Sequence, residues 1–331
     1  MYLGTTFNYN GNFNKAKAKQ VLQARKANFN LSAKIRELNL SVDTFTELFE
    51  RLIIPVLLYG SEIWGYENLN HLQVMCNNVM RRFLKLHKTT PMNMLIGELG
   101  MKEITEYIDK KMFNFWSNIA TGEESKISTI LYKWIKALHD KNIYKSPWLI
   151  KIKSILDGIG MHNLFDNISS VNIVWFKNTI KQKLNDCYIN KWSVSVFNSS
   201  TCLNYRAMTE NKQLQKYLLT LPSQYMYAMC KFKCANHRMP IVRGRFNGTP
   251  VDERKCELCD LNDHYNKVGD EFHYLFNCPF FRADRIRHIK RYYYTSPNTY
   301  KMTQLFNYVG EREMLELGKF IYIIINHFRN R

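Results

Sequence analysis

Two short spacings near the end of this 331-residue chain constrain its fold more than any other feature. Cys256-Glu-Leu-Cys259 places two thiols on one tight turn, and His273-Tyr-Leu-Phe-Asn-Cys278 begins fourteen positions after Cys259. A C-x2-C turn lets two thiolates bind one tetrahedral Zn²⁺, and H-x4-C supplies the other half of a Cys₃His site. The plain alternative is three buried cysteines and a surface histidine. Against it, Asp252-Glu-Arg-Lys255 before the turn and Asp260 to Asp263 after it are polar, so the thiols have no core to join. The spacing therefore predicts a structural Zn²⁺ held by Cys256, Cys259, His273 and Cys278. His264 is a rival third ligand, but its register would put the fourth ligand at Gly269, which has no side chain to offer. Cys230-x3-Cys234-x2-His237 sits among Tyr225, Met226, Met229 and Phe232 and reads as a buried helix. Cys76, Cys187, Cys202 and Cys230 are scattered among apolar neighbours, where a cysteine ordinarily serves as a small hydrophobe.

Charge narrows the partners. Forty-seven Lys and Arg against 28 Asp and Glu leave a net charge of +19, which favours a polyanion, either nucleic acid or an anionic membrane surface. The longest apolar stretches, Leu52 to Tyr59 and Phe320 to Ile325, fall far short of the ~18 residues a spanning helix needs, so no membrane partner is expected. The first residues carry neither a basic nor an apolar signal segment. The expected location is intracellular, nuclear and/or cytoplasmic, not secreted. Apolar residues make up 46% of the chain and aromatics 14%, enough for a core and too much for wholesale disorder.

From Lys15 to Arg36 there are seven Lys or Arg and no acid, in a stretch free of Gly and Pro with apolar residues at Val21, Leu22, Phe29, Leu31 and Ile35. This predicts a basic amphipathic helix. A merely solvated face would ordinarily carry acids at i,i+4, so Lys15, Lys17, Lys19, Arg25 and Lys26 become candidate phosphate contacts. A second basic group, Arg238, Arg243 and Arg245, precedes the cysteine turn. Arg282, Arg285, Arg287, Lys290 and Arg291 with Tyr292 to Tyr294 follow it, cations interleaved with aromatics as a base-stacking surface requires.

Helical periodicity runs through most of the rest. Phe45 to Val56 is bent or stopped by Pro55 and Tyr59-Gly60, and Pro91 opens a short helix that Gly100 closes. Ile104 to Ile119 forms an apolar stripe ending at Thr121-Gly122. Ile130–Leu138, Val171–Leu184 and Leu214–Leu219 continue between breaks at Ser146-Pro147, Gly158–Gly160 and Asn198–Thr201. From about residue 226, short strand-like pieces alternate with turns before a last helix, Glu311 to Phe328. The reading is a mainly α chain: a helical region over 1–125, a helical connector over 126–225, and a small zinc-stabilised α+β module over 226–331. There is no phosphate-binding glycine loop, no H-E-x-x-H and no Ser/His/Asp or Cys/His arrangement in motif context, so enzyme chemistry has no footing.

The order of these landmarks resembles the C-terminal half of reverse transcriptases encoded by non-LTR (LINE-type) retrotransposons, a class of transposable element. Tyr2-Leu3-Gly4 is similar to the segment following the palm. Leu48-Phe49 through Pro55-Val-Leu-Leu-Tyr59-Gly60-Ser-Glu62-Ile-Trp64-Gly65 resembles the thumb signature, and Thr90-Pro91 with Glu98-Leu99-Gly100 the next block. His237 with Gly244-Arg245, Glu253-Arg254-x-Cys256-x2-Cys259, and Asp270-Glu271-x-His273-x4-Cys278-Pro279 with Arg282 resemble the terminal zinc-binding module, although Val242 and Arg243 stand where the family often has an acid. The resemblance implies a thumb-like helical region that grips RNA and/or DNA. The carboxylates of an RNA-directed DNA polymerase lie in the palm, and this chain has no Asp-Asp and starts immediately before Tyr2. The expectation is a truncated, non-enzymatic fragment that binds nucleic acid; the alternative is a zinc-containing interaction protein whose basic surface meets an acidic protein.

Overall fold

The computed structural model describes residue 6 and residues 8–38, 40–168, 173–201, 203–259 and 267–329. Tyr2-Leu3-Gly4, Cys202 and His264 lie outside the described residues. The chain is mainly helical. Its segments sort into two compact units: Met1–Leu40, Thr44–Cys76 and Lys102–Lys191 form one, and Ser41–Asp43, Asn77–Met101 and Trp192–Arg331 the other.

In the first unit the predicted basic helix runs from Asn14 to Leu38. It buries Ala16, Lys17, Gln20, Val21, Ala24, Asn28, Leu31 and Ile35, a stripe at three- and four-residue spacing. Leu22 and Phe29, which the sequence reading put with the apolar face, lie on the opposite side, 54% and 71% exposed. The helix from Val42 does not stop at Pro55. A π turn over Phe49–Ile53 widens the helix just before Ile54–Leu57, which relieves the clash a proline ring makes with the preceding turn. The chain then reverses at Gly60, whose φ of +74° suits a residue without Cβ. Trp64 is wholly buried and donates its indole N–H to Tyr59 O at 3.2 Å. A Cβ on Gly65 would sit 2.3 Å from Ile108 Cγ2, so this glycine admits the helix Ile104–Ala120 to close range. That helix buries Ile104, Ile108, Met112, Phe113 and Trp116, and the Trp116 ring stacks on Phe165 at 6.4 Å. Trp64 and Gly65 thus serve packing.

In the second unit the helix Met92–Leu99 ends on Gly100 at φ +65°, the left-handed cap expected from the sequence. Leu99 forms an isolated antiparallel bridge with Leu214, and Gln215 N donates to Glu98 O at 3.0 Å. The helix Ser223–Lys233 packs along the last helix, Glu311–His327. The boundary expected near residue 225 therefore falls inside this unit. The strand content expected within residues 226–331 is slight. Among the described residues the only β-pairing in this stretch is the bridge Lys255↔Val268, and the short apolar runs such as His273–Asn277 are helical turns. Runs of four to six apolar residues carry too little periodicity to separate the two states.

Candidate metal centre

Arg254 to Cys256 runs antiparallel to Lys267 to Gly269, with Cys256 N donating to Lys267 O at 2.9 Å and Gly269 N to Arg254 O at 2.8 Å. A Cβ on Gly269 would meet Tyr274 Oη at 2.8 Å and Cys256 Cα at 3.2 Å, so the position the rival register needed as a ligand serves as a close backbone crossing. His273 and Cys278 bracket a π turn, closed by Cys278 N donating to His273 O at 2.8 Å. The wide turn brings its two ends to the same side as the Cys256-x2-Cys259 loop.

Cys256, Cys259, His273 and Cys278 are all buried, and their ligand atoms lie within 4.8 Å of one another. Cys256 Sγ is 3.9 Å from Cys278 Sγ, Cys259 Sγ is 3.8 Å from Cys278 Sγ, and Cys259 Sγ is 3.3 Å from His273 Nε2. A tetrahedral ion with metal–sulfur bonds of about 2.3 Å holds its sulfurs about 3.8 Å apart. The four predicted residues are therefore brought together at a spacing that could hold a metal ion, and they are the only such group among the described residues. A hydrogen bond from Cys278 pulls the Cys256 thiol down, and the same bond, reinforced by burial, pushes Cys278 up. A dication bound among the sulfurs would favour the thiolate form of each.

The surroundings hold the ligands in place, and here the sequence reading missed the main participants. Arg285, grouped with the surface cations, is 5% exposed and donates to the carbonyls of Leu275 at 2.8 Å, Tyr274 at 3.3 Å and Cys278 at 2.9 Å. It satisfies the acceptors that the π turn leaves open. Asp270 Oδ1 accepts from His273 N at 2.8 Å, fixing the start of that turn. Glu271 accepts from Asn204 Nδ2 at 2.6 Å and pairs with His237 Nε2 at 2.9 Å. Burial raises the Glu271 pKa, but His237 and Asn204 together outweigh burial and leave it lowered. His237 is thereby engaged away from Cys230 and Cys234, both buried as the sequence suggested, the first within the helix Ser223–Lys233 and the second as its C-cap. The Asp-Glu and the Cys-Pro of the motif gave a signal for these contacts; Asn204, far away in sequence, gave none.

A second buried polar cluster was not foreseen. Glu98, wholly buried, pairs with Lys233 Nζ at 3.0 Å, accepts from Thr209 Oγ1 at 3.0 Å and from Tyr217 Oη, and Lys233 also donates to Gln215 Oε1 at 3.2 Å.

The candidate phosphate contacts divide. On the helix Asn14–Leu38, Lys15, Arg25 and Lys26 are exposed and Lys19 is half-exposed, on the face that also carries Leu22 and Phe29. Lys17 is the exception: it is buried, paired to Glu67 at 2.6 Å and bonded to Asn68 O at 3.2 Å. In the second unit Arg238 is exposed, Arg243 is half-exposed and paired with Glu257, and Arg245 lies over the Phe246 ring at 5.1 Å. A small recess is lined by Ser200, Thr201, Asn204, Arg245, Arg254 and Glu271 among others. No described helix is long and apolar enough to cross a membrane.

Comparison with protein-family models, with curated proteins and with solved structures finds no match for this chain.

Proposed function

We propose that this chain binds RNA or DNA without catalysing its synthesis, and that the ion held by its Cys₃His cluster is a structural Zn²⁺. The observation that carries this reading is a closed, buried thiolate-rich site in a chain of net charge +19. Three sulfurs and one imidazole at tetrahedral spacing suit zinc, and a full protein ligand set leaves no open position for water or substrate, as in structural rather than catalytic sites. The zinc fixes the turn that carries Arg282 and Arg287, exposed on the helix Arg282–His288, and holds the residues beside Arg245 in one shape. Basic and apolar side chains together on the outer face of the helix Asn14–Leu38 support a backbone-tracking role with stacking. The resemblance to the thumb and zinc-binding portion of non-LTR reverse transcriptases points the same way. In such an arrangement these residues position a strand for chemistry carried out by carboxylates that this sequence does not contain.

The test is positional. Binding of RNA and DNA oligonucleotides across a salt series should weaken steeply, and Lys15→Ala, Arg25→Ala and Lys26→Ala should each reduce the log–log slope by about one. Lys17→Ala should leave the slope unchanged and lower thermal stability instead. Equal slopes in all four variants would mean that charge acts diffusely, and the nucleic-acid surface drawn here would be wrong. Primer extension with Mg²⁺ and dNTPs should give no product; template-dependent synthesis would refute the non-catalytic reading.

A further inference from the structure

The helix Ile127–Asp140 buries Thr129 and Tyr132 and turns most of its apolar residues outward. Ile127, Ile130, Leu131 and Trp134 are 75%, 52%, 48% and 61% exposed, and Ile135 and Leu138 are half-exposed. Their spacing of three and four residues makes one continuous stripe along the helix. An amphipathic helix ordinarily directs such a stripe into a core, and an exposed contiguous one marks an interaction surface.

The stripe has a property that names its partner: it reads alike in both directions. Reversal about the point between Tyr132 and Lys133 carries Ile127 onto Leu138, Ile130 onto Ile135, and Leu131 onto Trp134. The same operation carries Glu124, just before the helix, onto Lys141, just after it. We propose that this helix packs antiparallel against the same helix of a second copy of the chain, across a two-fold axis at that point. A two-fold interface requires a self-complementary surface, and this one is self-complementary in its pattern of apolar positions and in its end charges. At one end Glu123 is already paired with Lys126 and leaves Glu124 as the acid, and at the other Lys141 and Lys145 outnumber Asp140, so antiparallel pairing sets Glu124 against Lys141 twice. Glu124 is held now only by Lys133, in a pair whose side chains are 87% and 55% exposed, and exchanging such a pair costs little. Lys136 is kept off the stripe by Asp140 and Asp166. An anionic lipid surface fits less well, because Glu124 stands exposed just before the stripe begins. Covering the stripe on two copies removes on the order of 1,000 Å² in total, the low end for a specific interface, so the dimer is concentration-dependent.

Sedimentation equilibrium of the whole zinc-loaded chain, freed of nucleic acid, tests this. A monomer–dimer equilibrium is expected, weakened at least about tenfold by Trp134→Glu, which buries a charge at the axis. Glu124→Lys and Lys141→Glu should each weaken it about two- to fivefold, and the two together should restore it. Thermal melts establish that each variant is folded; the charge swap lies outside the helix and tests the pairing even if Trp134→Glu destabilises the chain. A monomer at all concentrations, a dimer indifferent to Trp134→Glu, or a swap that fails to restore affinity would each overturn the proposal. So would a monomer that pellets with phospholipid vesicles through the same residues. None of these outcomes depends on nucleic-acid binding.

Discussion

Glu98 and Cys256 are both ionisable groups buried in the second unit, and their charges are handled differently. Around Glu98 the protein provides everything: Lys233 supplies the opposite charge, and Thr209 and Tyr217 hydroxyls fill the remaining carboxylate sites. Around Cys256 stand two more sulfurs, an imidazole and the Tyr274 hydroxyl, and Arg285, a buried cation close by, spends its donors on carbonyls. The first cluster is electrically complete and spans residues 98 to 233 in sequence. The second is compact, lies within residues 256 to 278, and could be completed by an ion from outside. A buried charge can thus be neutralised by distant parts of the fold or by a ligand, and the two choices predict different vulnerabilities.

Removing the metal should have the largest effect. Structural zinc contributes about 10 kcal/mol or more to small domains, so chelation should abolish hydrogen-exchange protection at the Cys256, Gly269 and Cys278 amides. The Gln215 amide, bonded to Glu98 O, should stay protected. Loss of protection at Gln215 too would show that the two clusters fold as one and break the comparison. Cys259→Ser and His273→Ala should lower metal content below one equivalent by elemental analysis; full occupancy in both would unseat the ligand assignment.

Next in size is Glu98. Glu98→Gln leaves the Lys233 ammonium buried without its counter-charge, and should cost about 3–5 kcal/mol in denaturant unfolding with no change in metal content. Adding Lys233→Met should recover part of that, with a coupling of about 1–3 kcal/mol. Simple additivity would mean the pair does not interact as its 3.0 Å separation implies.

The smallest effect concerns pH. Glu271 has a lowered pKa in the folded chain, so it contributes stability above the ordinary glutamate value of 4.5, which is lost as pH falls through its folded pKa. Asp270 has a raised one, from burial first and then the Glu271 charge, and therefore opposes this trend. Glu271→Gln should flatten the acid limb of the stability profile, measured by thermal melts of the metal-loaded chain. An unchanged limb would place the acid sensitivity elsewhere.

What could be read in the sequence was local. The four ligands, the Gly100 cap, and the break at Ser146-Pro147 depend on spacings within about twenty residues; the structure adds that Ser146 Oγ accepts from Leu149 N and so caps the next helix. The Glu98 cluster was not legible, because Thr209 and Tyr217 are 111 and 119 positions away and no periodicity links them. Lys17 and Arg285 looked like surface cations because charge alone does not reveal which side of a helix meets the core. The same limit applies to Ile127–Asp140: its apolar stripe is plain in the sequence, and its exposure is not.

The interleaving of the two units has a consequence for the chain as it leaves the ribosome. The helix Met92–Leu99 presents Met94, Leu95, Ile96 and Leu99 for burial, yet Tyr205, Tyr217 and Lys233, which belong to its unit, are made more than a hundred residues later. At about 5–20 residues per second, that hydrophobic segment waits roughly 5 to 30 seconds without its neighbours. Chaperone engagement during synthesis should therefore fall on this segment, while the cysteine cluster, contained in a short stretch, can close as soon as it emerges.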